Sequence, residues 1–365
     1  MRAGRLRAAG IAALLGAGLA VAGAGETREP AAETPLLALQ PLQGHRGGGV
    51  YSIGFPDENI IEGFVQGLLV NRREWLQSVL DRSRIYRAVI AAEIAERGMP
   101  RELLFLPAVE SGFQPRAVSP KGATGLWQLM RNTAAPYGLR MDDWVDERRD
   151  FYRATEAALG KLAEGYRQFG SWEMALAAYN AGAGRMARLV KDHGTANYWT
   201  LRAKGVLPKE TAAFVPQFAA LSRILDQPGR HGLRVSWDPA VEWERVAVPR
   251  TVDLRLLAEA SGIARETLAA GNPELQLGVT PPASYGYQLK VPAEHREAVE
   301  RALAGDAIPL MEFRVHVVKQ GDTLWAISRV YGVSLELLTE SNPGIRADAL
   351  RVGSRLLVPR LERRG

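Results

Sequence analysis

Cysteine is absent from the chain of 365 residues. This absence excludes disulfide bonds, thiolate-ligated zinc, iron–sulfur clusters and a thiol nucleophile, and it leaves no acceptor for a lipid thioether. Histidine is scarce as well, because the chain has only five, which lie far apart and form no HExxH pair. The sequence therefore predicts neither a metal site nor a cofactor.

Positive charge is in slight excess and is not concentrated in one stretch. The formal net charge is +6, of which Arg2, Arg5 and Arg7 account for half. No basic run with interleaved aromatic residues stands out, so nucleic acid is not an expected partner. Hydrophobic residues make up 47% and charged residues 24%, which is ordinary for a folded soluble chain, and the length suggests two or three domains.

Residues 1–24 have the pattern of an export signal. Arginines precede an uncharged run from Ala8 to Gly25, which contains the A-x-A cleavage pattern Ala22-Gly23-Ala24 and a second candidate, Ala20-Val21-Ala22. The alternative is a retained membrane-spanning helix. Because the run is shorter than the ~20 strongly apolar residues of a span and is rich in alanine and glycine, we expect a cleaved signal and no membrane span afterwards. The mature protein is expected outside the cytoplasm and without a lipid anchor.

The rest of the chain divides by composition and periodicity. Residues 25–58, rich in Ala, Pro, Gln and Gly, predict a linker. In residues 59–230, apolar side chains recur at spacings of three and four and strand alternation is absent, which predicts one helical domain. Short Val-rich runs then mix with helical patterns in two further regions, 240–310 and 313–360. The expected fold is mainly α, followed by small α+β modules.

An internal repeat indicates that these modules are related. Leu268–Pro273 (LAAGNP) is followed by Gln288–Pro292 (QLKVP), and Leu338–Pro343 (LTESNP) is followed by Arg355–Pro359 (RLLVP). Each copy reads as a helix, an Asn-Pro turn and a closing strand that ends at proline. We expect two tandem modules.

Glu110 is the main candidate for chemistry. It ends a helical run among Phe105, Leu106, Val109 and Phe113, and apolar surroundings raise the pKa of a carboxyl group. A raised pKa suits a general acid that protonates a glycosidic oxygen. The alternative is a half-exposed glutamate at a helix end, which is the commoner fate of a single Glu.

Two glycine-rich motifs follow. Ser119–Met130 reads SPKGATGLWQLM, and its glycines allow either close approach of the backbone to a ligand or a tight turn into a helix. Ala177–Gly184 reads AAYNAGAG, in which Tyr179 and Asn180 stand among small residues. This second motif fits a cleft wall or an ordinary C-terminal glycine cap equally well.

The ordered set Glu-Ser, Gly-Ala-x-Gly-Leu-x-Gln and Ala-Tyr-Asn-Ala-Gly resembles the lytic transglycosylase domain related to soluble lytic transglycosylases and goose-type lysozymes. Arg82-Ser83-Arg84-x-Tyr86, Asp146–Asp150 and Glu210–Pro216 further resemble its murein transglycosylase D subgroup. The resemblance implies a lysozyme-like helical domain that acts on peptidoglycan glycan strands in the periplasm or cell envelope. The sequence identifies no protein partner.

The same resemblance implies roles for single residues. Glu110 would be the sole catalytic acid and base, and Ser119 would orient Glu110 or the sugar. Gln128, Tyr179 and Asn180 would line the glycan cleft.

Two positions depart from the family pattern or leave its meaning open. Phe214 stands where similar sequences often carry Tyr, so the hydroxyl is missing here. Trp127, where some branches have Met, would either stack on a sugar or pack in the interior.

One carboxylate suffices if the substrate supplies the nucleophile. Most glycosidases use two carboxylates, and substrate assistance is an exception. N-acetylmuramic acid carries a 2-acetamido group that can approach C1, and its 6-hydroxyl can then attack C1 to give 1,6-anhydro-N-acetylmuramic acid. Further acids follow downstream and look more like loop caps and ion pairs. These are Asp142, Asp143, Asp146 and Asp150.

Residues Phe313–Pro359 strongly resemble a LysM module, a βααβ unit that binds glycans containing N-acetylglucosamine. Asp322 or Thr323 is a plausible N-cap of its first helix. The resemblance implies a sugar groove between two loops. Its residues would be Gly321, Asp322, Thr323, Leu324, Asn342, Pro343 and Ile345. The earlier copy lacks the Gly-Asp-Thr-Leu sequence and reads as a degenerate LysM-like unit, either a weak glycan binder or a spacer.

The main hypothesis is an exported peptidoglycan lytic transglycosylase with a LysM anchor. One alternative is a muramidase or chitinase-type hydrolase on the same fold. The other is a non-catalytic peptidoglycan-binding protein, against which the presence of Glu110, Gln128, Tyr179 and Asn180 argues.

Overall fold

The structure is a computed structural model that describes residues 53–234, 241–305, 308, 311–342, 344–346 and 350–361. The predicted signal, most of the predicted linker and Pro343 lie outside the described residues. Within the described part, no helix has the length and apolarity needed to cross a membrane.

The chain forms two compact units, and the first is discontinuous in sequence. Of the described residues, it contains 53–139 and 151–234, whereas the second contains Arg140–Asp150 and those from Val241 onward. The segment 140–150, which the sequence analysis places inside the helical domain, thus packs in the second unit. The domain boundaries from sequence otherwise stay a prediction.

The first unit is helical, as the apolar periodicity predicts. Its α-helices are α1 (Glu58–Asn71), α2 (Arg73–Glu96), α3 (Leu106–Ser111), α4 (Arg131–Ala134), α5 (Phe151–Phe169), α6 (Trp172–Ala181), α7 (Ala183–His193), α8 (Tyr198–Ala203) and α9 (Lys209–Asp226). Short 3-10 turns occupy Arg101–Phe105, Ala135–Tyr137 and Pro228–His231. Side-chain caps define several of the helix starts, because Asp57, Ser171 and Asn197 each accept a backbone N–H of the first turn.

Helices α5 and α6 pack closely because a glycine lies at their contact. A Cβ atom at Gly165 would lie 3.1 Å from the Cα and 3.2 Å from the Cβ of Ala175. Any larger residue at position 165 would force the two helices apart.

Hydrogen bonds connect the loop between α3 and α4 to helices α5 and α6. Trp127 is fully buried, and its indole N–H donates to the Thr155 hydroxyl on α5 at 2.9 Å. Its carbonyl accepts from the Tyr179 hydroxyl on α6 at 2.7 Å. Of the two roles left open for Trp127, packing is therefore the one observed.

The second unit contains two βααβ modules. The first consists of β1 (Trp243–Ala247), α10 (Leu254–Ser261), α11 (Arg265–Gly271) and β2 (Gln288–Pro292), followed by α12 (Arg296–Ala304). The second consists of β3 (Met311–Val317), α13 (Leu324–Tyr331), α14 (Leu335–Glu340) and β4 (Arg355–Leu361). In each module the two strands pair antiparallel, so the tandem repeat expected from sequence is present.

We expect Thr155→Val to lower the free energy of unfolding by about 1–3 kcal/mol, because the buried indole N–H of Trp127 loses its acceptor. Urea unfolding followed by circular dichroism measures this change. Thr200→Val, at an exposed position of α8, is the matched control and should shift stability by no more than about 0.5 kcal/mol. Equal stabilities of the two variants would contradict the role of this hydrogen bond.

Candidate functional site

Glu110 lies in the last turn of α3, a short helix whose other residues are all buried. Pro107 occupies the first turn, where its missing N–H costs nothing, and Gly112 ends the helix in the left-handed conformation at φ 61°. Burial raises the pKa of the Glu110 carboxyl from 4.5 to about 8. At neutral pH the group is therefore mostly protonated and able to donate a proton.

Two charged groups act on this carboxyl in opposite directions. The Lys161 ammonium on α5 lowers the pKa of Glu110, and the Glu210 carboxylate on α9 raises it, both by less than burial does. Burial in turn lowers the pKa of Lys161, which the charge of Glu110 partly offsets. The site thus holds a proton donor and a cation within mutual electrostatic reach.

Lys161 also fixes the end of α6. Its Nζ donates to the Tyr179 carbonyl at 2.9 Å and lies 4.0 Å from the centre of the Tyr179 ring. Burial and the nearby Glu110 charge raise the pKa of Tyr179 well above its ordinary value, so its hydroxyl stays protonated and donates to the Trp127 carbonyl. Tyr179 thereby links α6 to the loop that follows Glu110.

Asn180, the next residue, forms a hydrogen-bonded group with α9. Its Nδ2 donates to the Glu210 carboxylate at 3.3 Å, and its Oδ1 accepts from the Thr211 hydroxyl at 2.9 Å. Because Glu210 acts on the pKa of Glu110, Asn180 belongs to the same electrostatic neighbourhood. Phe214, the residue without the expected hydroxyl, is buried on the same helix.

Gln128 and Ser119 shape the loop between α3 and α4. Gln128 has a left-handed φ of 47°, and its Nε2 donates to the Gly125 carbonyl at 2.9 Å. The Ser119 hydroxyl accepts the Ala123 N–H at 3.0 Å and closes a turn. Among the described residues no hydrogen bond joins Ser119 to Glu110, so its predicted orienting role stays a prediction.

A cavity of about 310 Å³ lies beside Lys161 and Tyr179. Its walls include Tyr137, Lys161, Glu164, Gln168 and Tyr179. Of the predicted site residues, only Tyr179 lines this cavity, and Glu110, Ser119, Gln128 and Asn180 do not. In the described parts of the chain, no group of three or more acidic or histidine side chains is placed to hold a metal ion.

The downstream aspartates do not supply a second carboxylate to this unit. Asp143, Asp146 and Asp150 form ion pairs with Arg355, Arg148 and Lys290, all within the second unit. Asp142 accepts two backbone N–H groups of its own turn. They are the loop caps and ion pairs that their sequence context indicates.

In the second module of the second unit, the predicted glycan loops are well formed. Thr323 caps α13 by accepting the Ala326 N–H at 3.0 Å, and Leu324 is core. Asp322 accepts from the Lys319 N–H at 2.7 Å and lies 2.8 Å from the His316 ring nitrogen. Gly321 has a φ of 88°.

The facing loop of that module depends on an asparagine. Asn342 donates to the carbonyls of Leu338 and Leu357 and accepts the Leu357 N–H, while Ile345 packs against the module core. The described residues of both loops are thus held within the module, Pro343 lies outside them, and the glycan contacts stay a prediction.

Sequence reasoning assigned no role to Lys161 or Glu210. Lys161 stands next to Ala157, Ala158 and Leu162, which are buried. A lysine beside buried apolar residues is the local signal that the sequence offers. Only the fold brings it near Glu110.

Three family models match the chain. The Transglycosylase SLT domain matches residues 87–201, and the LysM domain matches residues 316–359. The model described as Lytic transglycosylase MltD, LysM-like domain, matches residues 242–306.

One curated relative matches most of the chain, and another matches about a third of it. The membrane-bound lytic murein transglycosylase D of Escherichia coli K12 is 33% identical over 329 residues, which is 85% of this chain and 71% of that protein. The putative tributyltin chloride resistance protein of Alteromonas sp. M-1 is 34% identical over 129 residues, 35% of this chain and 61% of that protein.

Solved structures match over smaller parts. An inactive mutant of the lytic transglycosylase Slt from Pseudomonas aeruginosa is 25% identical with a TM-score of 0.35, covering 42% of this chain and 26% of that one. The 70 kDa soluble lytic transglycosylase from Escherichia coli is 20% identical with a TM-score of 0.36, covering 47% and 30%.

We expect Lys161→Met to raise the pKa of Glu110 further, because the cation that favours its carboxylate form is removed. A pH titration followed by carboxyl ¹³C NMR measures this, and Glu110→Gln identifies the resonance. Lys191→Met, which removes an exposed charge from α7, should leave the pKa unchanged. A pKa that stays constant or falls in Lys161→Met would show that this ammonium does not act on Glu110.

Proposed function

Because the chain belongs to the membrane-bound lytic murein transglycosylase D family, we propose that it cleaves the β-1,4 bond between N-acetylmuramic acid and N-acetylglucosamine in peptidoglycan. It is a lytic murein transglycosylase with an SLT catalytic domain and a LysM domain. The product we propose is 1,6-anhydro-N-acetylmuramic acid. The reaction uses Glu110 as acid and then as base.

In the first step Glu110 transfers its proton to the glycosidic oxygen. The bond between that oxygen and C1 of muramic acid breaks, and N-acetylglucosamine leaves with a 4-hydroxyl. The carbonyl oxygen of the 2-acetamido group bonds to C1 and takes the place of a second enzyme carboxylate. The observation that supports this step is the position of Glu110 in a helix whose other residues are all buried, surroundings that raise its pKa to about 8 and keep the acid form populated at neutral pH.

In the second step the Glu110 carboxylate takes the proton of the muramic acid 6-hydroxyl. The 6-oxygen of the sugar then attacks C1 and displaces the acetamido oxygen, so the 1,6-anhydro ring closes without water. Attack within one sugar has a large advantage in effective concentration over attack by a separate molecule. The single group serves both steps because its pKa lies near working pH.

Lys161 supports the change of role. The ammonium favours the carboxylate that exists between the two steps, whereas Glu210 and burial favour the protonated acid. Tyr179, Asn180 and Gln128 would border the glycan, and their hydrogen bonds to Trp127, Thr211 and Gly125 hold them in place.

The LysM domain would bind N-acetylglucosamine units and keep the enzyme on its polymer. Its loops at Gly321–Leu324 and Asn342–Ile345 are the proposed contacts. We place the mature protein in the periplasm or cell envelope, which agrees with the membrane-bound relative from Escherichia coli.

Product analysis of digested sacculi tests the reaction. Wild type should release muropeptides with 1,6-anhydro ends, and Glu110→Gln should be slower by about 10²–10⁴-fold because the proton donor is lost. Glu96→Gln, an exposed glutamate on α2, is the control and should retain the wild-type rate. Reducing ends would favour a muramidase, and full activity of Glu110→Gln would show that Glu110 is not the acid.

The value of kcat/KM should decline as pH rises through about 8, because the acid form of Glu110 is then lost.

A pelleting assay with sacculi tests the anchor. Asp322→Ala should weaken pelleting, because Asp322 organises the loop through Lys319 and His316, while the rate on soluble glycan strands stays the same. Glu336→Ala, on the exposed first turn of α14, is the control. Equal pelleting of both variants would contradict glycan binding at this loop.

A further inference from the structure

The two βααβ modules correspond residue by residue. From α10 to Asn272, adding 70 to a position gives its equivalent in the second module, so that Leu268 corresponds to Leu338 and Asn272 to Asn342. In the closing strand the offset is 67, because Lys290 and Leu357 are the residues whose carbonyls accept from these asparagines. The asparagines make the same bonds. Asn272 Nδ2 donates to the carbonyls of Leu268 and Lys290, just as Asn342 Nδ2 donates to those of Leu338 and Leu357. The equivalents of the two proposed glycan loops are therefore 251–254 and 272–275.

The first of these loops is paired with the chain that follows α11. The Leu254 N–H donates to the Gly278 carbonyl at 3.0 Å, and the Thr280 N–H donates to the Val252 carbonyl at 2.9 Å. The Thr280 hydroxyl accepts the Val252 N–H as well. These backbone N–H and C=O groups thus have hydrogen-bond partners within the module itself.

The second loop is paired with the segment 140–150. The Asp146 N–H donates to the Glu274 carbonyl at 2.9 Å, and the Gln276 N–H donates to the Trp144 carbonyl at 3.0 Å. Between them Val145 faces Leu275 in a β-bridge. Val145 is 1% exposed and belongs to the hydrophobic core of the module. The segment therefore pairs with this loop in the way that an added β-strand pairs with the edge of a sheet.

A buried charge makes this attachment specific. The Lys290 side chain is 3% exposed, and its Nζ lies 2.8 Å from Asp150 and 2.6 Å from Glu274. Its equivalent in the second module is the buried Leu357. A buried ammonium needs carboxylate partners, and one of the two comes from the segment 140–150. The first module thus has a cation, Lys290, where the second has an apolar side chain, and this cation can pair with the acidic end of a peptide.

We propose that the 242–306 module binds the chain's own segment 140–150 with the face equivalent to the LysM glycan groove, in place of a glycan. Lys290 then acts as a positioning residue, because its partner Asp150 directly precedes Phe151, the first residue of α5. Helix α5 carries Thr155 and Lys161, which hold Trp127 and act on Glu110. The attachment of the segment is independent of the proposed function, whereas the equivalence to a glycan groove and the positioning part rest on it.

Hydrogen exchange with the full chain, in a Glu110→Gln background, tests the ligand preference. Addition of N-acetylglucosamine hexamer should leave exchange at 251–254 and 272–276 unchanged, and it should slow exchange at 319–325. Slower exchange at 251–254 and 272–276 would overturn the proposal. Unchanged exchange at 319–325 would instead overturn the glycan role of the LysM domain.

Two variants test the attachment and the positioning. Lys290→Met should speed exchange in 140–150 by about tenfold or more, because two buried carboxylates lose their cation. Gln276→Ala, which removes side-chain bonds to the Asp142 and Val145 carbonyls, is the milder variant if Lys290→Met does not fold. Arg265→Met, an exposed cation on α11, is the matched control.

Cleavage rates on soluble uncross-linked glycan strands distinguish the attachment of the segment from the positioning role of Lys290. The variants should lower kcat while KM changes little, because the substrate-binding residues are intact and only the surroundings of Glu110 are disturbed. Unchanged exchange at 140–150 in both variants would overturn the attachment. Faster exchange with an unchanged kcat would overturn the positioning role alone.

Discussion

The apolar surroundings of the partly exposed Glu110 side chain are the constraint on which the chemistry depends. The rise in its pKa from 4.5 to about 8 means that ionisation costs about 5 kcal/mol more at this site than in water. A cost of this size is comparable with the whole stability of many domains. The fold must therefore keep the short helix α3 in place, and it does so through the loop that Trp127 fastens to α5 and α6. Lys161 then limits how far burial can raise the pKa.

The sequence predicts the helical domain and the tandem modules because both leave local patterns. Apolar spacing of three and four follows from helix geometry, and the two Asn-Pro turns occupy equivalent places because Asn272 and Asn342 make the same backbone bonds. Glu110 is also predictable, since its neighbours in the chain are themselves apolar. Each of these signals lies within a few residues of the feature that it predicts.

Features that depend on distant parts of the chain were not predictable. Lys161 reaches Glu110 only because α5 packs beside α6, and nothing near position 110 indicates a cation. The two roles of Trp127 were separated by its bond to Thr155, which lies on another helix. The segment 140–150 reads as an ordinary loop of the helical domain. It packs in the second unit through residues far along the chain, among them Lys290, which is 140 residues away from Asp150.

The discontinuous first unit has a consequence for how the protein is made. The ribosome produces the segment 140–150 long before Lys290, the residue that neutralises Asp150. At about 5–20 residues per second, the interval is on the order of 10–30 s. During that time the bonds of the segment to Glu274, Gln276 and Lys290 cannot form, whereas its internal ion pairs Arg148–Asp146 and Arg140–Glu147 can. A gene fragment that stops at residue 240 therefore encodes Glu110 and Lys161 without Glu274, Gln276 and Lys290, the residues to which the segment is bonded.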